Sequence, residues 1–66
     1  MPHEIGERQG GYVLLRDSET GEWLAVRPTG IAAVLESEGR TVLLLPGGRM
    51  SIVDAALRQV LAWLSP

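Results

Sequence analysis

The chain predicts an α+β fold that is mostly β: an antiparallel meander of about five short strands in two hairpins, with one C-terminal helix packed on the sheet. Three observations carry this expectation. Two apolar runs, Tyr12-Val13-Leu14-Leu15 and Trp23-Leu24-Ala25-Val26, bracket the turn-rich cluster Asp17-Ser18-Glu19-Thr20-Gly21. A second pair, Thr41 to Leu45 and the run through Ile52-Val53, is joined by Pro46-Gly47-Gly48. From Ala55 to Leu64 the apolar residues then recur at steps of three and four, the period of a helix.

Taken in order, residues 1–11 are polar and glycine-bearing and read as a flexible N-terminal tail, with Gly10-Gly11 marking where structure begins. Residues 12–66 then make a single small domain. In the first hairpin Gly21 supplies the positive φ that a tight turn needs. Arg27-Pro28-Thr29-Gly30 makes a corner, because proline has no N–H to donate and biases Arg27 toward extended geometry. Ile31 to Glu36 fits a strand, through its β-branched Ile31 and Val34, or a short helix capped by Thr29. Gly30 and Gly39 bracket too few residues for an ordinary helix, which favours the strand. Thr41 to Leu45 is apolar on both faces, as a central strand covered on each side would be. Pro46 and Gly47 suit the two central positions of a type II turn.

In the closing helix, Val53, Ala56, Leu57, Val60, Leu61 and Leu64 share one stripe, while Ile52, Ala55, Ala62 and Trp63 fall outside it. Asp54, Arg58, Gln59 and Ser65 leave a polar sector too narrow for a helix lying freely on a monomer. Its start reads either as a capping box from Ser51 to Asp54 or as a cap by Asp54 itself. The second is preferred, because it leaves Ile52-Val53 to finish the return strand.

Sixty-six residues allow one domain, and a domain of that size buries only about 60% of the surface its unfolded chain exposes. Such domains lean on disulfides, metals or oligomerisation. With no cysteine and one histidine, His3, the first two supports are weak and no cofactor or metal site is expected. Oligomerisation is the remaining route. The strands point the same way: Tyr12 and Leu14 lie opposite to Val13 and Leu15, and Val42 and Leu44 opposite to Leu43 and Leu45, so both sheet faces are apolar and one helix covers only one. The net charge of −2 argues against a nucleic-acid partner, which takes a basic stripe. No apolar run approaches the length of a membrane span and residues 1–11 lack a charged stretch followed by an apolar one, so neither membrane insertion nor secretion is expected, and the lack of cysteine fits a reducing cytoplasm.

No catalytic constellation stands out, and the chain is not expected to be an enzyme. His3 is alone in the tail. Glu36, Glu38 and Asp54 sit where carboxylates are solvated or capping. Gly47-Gly48-Arg49 lacks the Gly-Lys-Ser/Thr and following helix of a phosphate loop. Arg40 and Arg49, near the ends of one hairpin, are candidates for an anion contact. Tryptophan is enriched where proteins meet, so Trp23 and Trp63 are candidate interaction residues, with Arg58 at the rim of a contact made by Trp63.

Val26-x-Pro28, Ile31, Val34, Thr41-Val42-x-Leu44, Gly48, Val53 and Val60 together resemble the short flagellar and swarming-motility proteins of the FlbD/SwrD type. Arg27 stands where that family has asparagine, and Ala55-Ala56 where it has Glu-Ser. The resemblance implies a non-enzymatic accessory protein. A second window, Leu14 to Trp23 followed by Pro28-Thr29-Gly30-Ile31-Ala32-Ala33-Val34-Leu35, resembles the peptide-recognising PqqD-type domains. That resemblance implies a helix over Ile31 to Glu36 and a peptide added at a sheet edge. The expected function is therefore an accessory or adaptor protein that forms a homo-oligomer and binds a protein partner. The alternatives are a peptide-recognition module and a phage or mobile-element regulator that binds a protein, a nucleotide or nucleic acid.

Overall fold

The chain folds into two three-stranded antiparallel sheets and a helix, as described for residues 3–65 by a computed structural model. The first sheet holds β1 (Arg8–Gln9), β2 (Tyr12–Arg16) and β3 (Trp23–Val26) in that spatial order. The second holds β4 (Ala33–Ser37), β5 (Arg40–Leu45) and β6 (Arg49–Val53), and the helix α1 spans Leu57–Leu64. Both hairpins read from the sequence are present, β2 with β3 and β5 with β6. Met1, Pro2 and Pro66 lie outside the described residues.

Four departures from the sequence reading have physical causes. The meander is split, with six strands among the described residues. Arg27-Pro28-Thr29-Gly30 bends through a 3₁₀ turn at Pro28–Gly30 that carries the chain out of the first sheet before β4 begins. The two sheets still touch, because Ser18 N–H, just past β2, donates to Ile52 O on β6 at 2.7 Å.

The second departure concerns the expected tail. Arg8–Gln9 pairs with Val13 and Tyr12, and the pairing is prolonged by Leu14 N–H to Glu7 O and Gly6 N–H to Leu14 O. Structure therefore starts before Gly10-Gly11, which form the β1–β2 turn. Gly6 has φ 90°, and a Cβ there would stand 2.5 Å from the Trp63 ring. Only glycine lets the backbone lie flat on that indole. Gly6→Ala is expected to cost about 1–3 kcal/mol, through a strained φ and a displaced Trp63. Urea unfolding followed by tryptophan emission reads both effects; a midpoint equal to the parent's would mean the glycine is dispensable.

The third is the helix. Ile52-Val53 do finish a strand, but Asp54 is exposed and does not cap; α1 starts later, with Ala56 at its N-cap and no capping side chain from within the segment. The free N–H of Leu57 is met from β4, where Glu36 accepts it at 3.0 Å. Starting at Leu57 also turns the buried stripe. Val60 is fully buried, with Leu57, Trp63 and Leu64 half-buried beside it, whereas Leu61, about 100° further round, is 47% exposed. Trp63 therefore faces the protein's own core. At the other helix end, the Arg8 guanidinium donates to Trp63 O at 2.9 Å and also to Ser65 O, answering terminal carbonyls.

The fourth is the covering of β5. It is central to its sheet, as expected, but only its inner face is buried. Thr41 and Leu43 point inward, where Leu43 joins Val13, Leu15, Val26, Val53 and Val60 in one core between the sheets and the helix. The ambiguous segment after the corner is strand β4 rather than a helix, so the helix that the PqqD-type resemblance implies is absent there. Gly47 takes φ 83° and ψ 12°, the second central position of the type II turn expected of Pro46-Gly47.

Candidate interaction surfaces

Register fixes what the outer face of the second sheet presents. Leu43 and Val53 point inward, so Val42, Leu44, Met50 and Ile52 point out, and their partners Leu35 and Ala33 point out with them. The result is two rows of three apolar side chains, Leu35–Val42–Ile52 and Ala33–Leu44–Met50, across three adjacent strands. Leu35 is 52% exposed and Met50 64%. On a sheet with one solvated face those positions are ordinarily polar.

This face continues around a free sheet edge. β4 has β5 on one side and no strand on the other among the described residues. Beside its end opens a cleft of about 680 Å³ lined by Glu36, Ala56, Leu57, Arg58 and Leu61. Its floor is leucine and its rim is charged, the pattern of a protein contact surface.

The residues singled out from the sequence are dispersed. Arg58 is exposed and lines that cleft, away from Trp63. Trp63 is not beside it in an outward surface; its ring packs on the core and over Gly6. Trp23 is on the outer face of the first sheet, half-buried, with the His3 ring edge-on at 5.3 Å and the Arg16 guanidinium 5.6 Å from its centroid. Arg40 and Arg49 are not brought together, since they pair with Ser37 and Leu45 at opposite ends of β5. Each meets a carboxylate of the β2–β3 turn: Arg40 reaches Glu19 at 3.0 Å and Arg49 reaches Glu22 at 3.8 Å. Those acids occupy the place an anion would take.

Sequence reasoning missed the residue that ties the two sheets together. Asp17, 9% exposed, accepts Glu19 N–H and Thr20 N–H on Oδ1, at 2.8 and 3.0 Å. Its Oδ2 accepts the Ser51 hydroxyl at 2.8 Å and Ile52 N–H at 3.3 Å. The first pair is a turn motif that the Asp-Ser-Glu-Thr-Gly pattern signals; the second pair depends on tertiary placement. The Ser51 hydroxyl first, and then Thr20 N–H, hold its carboxyl down from an ordinary 3.8 to about 2, against the opposing effect of burial.

Among the described residues no group of three or more His, Cys, Asp or Glu side chains could hold a metal, and no helix is long and apolar enough to cross a membrane. These features define a small two-sheet β protein closed by one helix, with an apolar outer sheet face. No family model, curated protein or solved structure matches the chain. The FlbD/SwrD-type and PqqD-type resemblances rest on the residues quoted for them alone.

Proposed function

We propose that the chain is a non-enzymatic accessory or adaptor protein that self-associates through the outer face of β4, β5 and β6 and acts by binding another protein. The observation that carries this reading is the pair of apolar rows on that face. A second copy is the occupant the surface suits. The rows contain no charge, and Arg40 at their margin is paired within its own chain, so two copies meet without repulsion. A two-fold arrangement places the same apolar patch on both sides of the contact.

Size supports a contact wider than the rows alone. Six side chains on three strands cover a few hundred Å², on the order of half of the roughly 800 Å² that each partner contributes to a standard interface. The free edge of β4 and the exposed Leu61 supply adjoining surface. Covering this edge also removes the unpaired strand that small β proteins otherwise guard with charge.

The test is a charged double variant, Leu35→Glu with Met50→Glu, compared with the parent by light scattering. Both side chains are more than half exposed, so the fold is expected to survive, with far-ultraviolet circular dichroism unchanged. The parent is expected to have the mass of a dimer or larger assembly and the variant that of one chain. Equal masses for the two would remove this face from the account.

A further inference from the structure

The outer face of the first sheet has a different chemistry. Tyr12, Leu14 and Arg16 point outward from β2, and Trp23 and Ala25 from β3, with Arg27 just beyond its end. Arg16 lies opposite Trp23 and Arg27 beside Tyr12, so each guanidinium sits over a ring, 5.6 Å and 5.3 Å from the centroids. The Leu14–Ala25 row lies between these two cation–aromatic pairs. The face reads cation, apolar, cation along the strand direction.

Its charges are unbalanced. Arg40 and Arg49 are neutralised by Glu19 and Glu22, but neither Arg16 nor Arg27 is in an ion pair among the described residues. Arg16 spends only its Nε–H, on Gly21 O. Glu7 lies opposite Leu14 on the same face and is its one carboxylate among the residues paired there, with one oxygen taken by the Gln9 amide and the other by Glu4 N–H, so two cations stand against one acid. A chain of net charge −2 thus keeps two guanidinium groups outside any described ion pair, each near an aromatic ring, at the two ends of one sheet face.

We propose that this face binds an extended acidic segment of a partner protein, with two carboxylates four residues apart and an apolar side chain midway. The proposal rests on the adaptor reading and names the class of its partner. The spacing sets the pattern. Position 12, beside Arg27, and Arg16 are four residues apart, about 13 Å along a strand. An extended peptide repeats that distance over four residues and points residues i, i+2 and i+4 to one side. The two carboxylates then meet Arg16 and Arg27 while the middle side chain rests on Leu14 and Ala25. Each contact is a charge-assisted hydrogen bond to a planar donor. A single-stranded nucleic acid fits less well, because one side of each ring already carries a guanidinium and the chain's net charge is −2.

The experiment uses the full chain and a capped, dye-labelled threonine-rich peptide carrying glutamate, leucine and glutamate at successive same-face positions, read by fluorescence anisotropy. Saturable binding is expected, weakened at least about tenfold when the peptide glutamates become glutamine and when the protein carries Arg16→Glu with Arg27→Glu. The glutamine peptide keeps the test valid if the double variant fails to fold. No binding, binding indifferent to both changes, or preference for an oligothymidine of matching length overturns the proposal. Light scattering on the same samples separates this result from the other reading. Peptide failure with an intact assembly sinks only the acidic-segment site, and a monomer that binds the peptide sinks only self-association. The Leu35→Glu, Met50→Glu variant is expected to bind the peptide as the parent does, since its changes lie on the other sheet's outer face.

Discussion

Replacing Asp17 with alanine is expected to remove a large part of the chain's folding stability. The change removes four charge-assisted hydrogen bonds and strands the buried Ser51 hydroxyl and the Ile52 N–H. The loss is about 3–5 kcal/mol, since orphaned buried donors carry the full desolvation cost. A domain of this length holds on the order of 3–10 kcal/mol in total. The same carboxylate predicts the acid response. Its folded value of about 2 lies below the unfolded 3.8, so the stabilisation is complete above 3.8 and disappears as pH falls toward 2. Urea midpoints measured between these pH values should fall steeply for the parent. Asp17→Asn, which cannot titrate, should be weaker at neutral pH and lack most of that slope. A parent with no loss of stability over this interval would contradict the assignment.

Leu43→Ala is the second change with a large expected effect. Leu43 is fully buried on the inner face of β5, in the cluster that joins both sheets to Val60 of the helix. Truncation removes apolar contact and opens a cavity in a core that has six buried hydrophobic side chains among the described residues, at a cost of about 2–5 kcal/mol. Val42→Ala, the next residue but on the outer face, serves as the control. It should cost the folded chain far less, because its side chain is only half-buried. Chemical denaturation of the pair, at concentrations low enough to hold both as single chains, checks the contrast. Equal losses would mean that the two faces of β5 are not distinguished as inner and outer.

Local chemistry made most elements legible and left their arrangement obscure. The two hairpins, the type II turn at Pro46-Gly47 and the β character of the segment before Gly39 followed from apolar runs, proline and glycine. The split into two sheets did not follow, because whether Pro28 bends a strand or ends a sheet depends on what the next strand finds to pair with. The helix was placed too early for a related reason. Val53 and Ala56 have helical spacing with Val60, but Val53 pairs with Thr41, and the cap arrives from Glu36 on another strand. Arg8 and Gly6 looked like tail residues because their partners, the helix carbonyls and the Trp63 ring, lie more than fifty residues away in the chain. Of the candidate surfaces, the surplus of apolar positions on β5 was visible from alternation alone, and it is this surplus that remains uncovered. Trp63 falls outside a stripe drawn from Val53, but once the helix starts at Leu57 its ring packs against the core.

The most direct test of self-association is sedimentation equilibrium of the unmodified chain over a wide concentration range. A reversible shift from one chain toward an assembly of two or more is expected as concentration rises, with the Leu35→Glu, Met50→Glu variant remaining a single chain throughout. A parent that sediments as a single folded chain at every concentration, with Leu35 and Met50 in contact only with water, would contradict it.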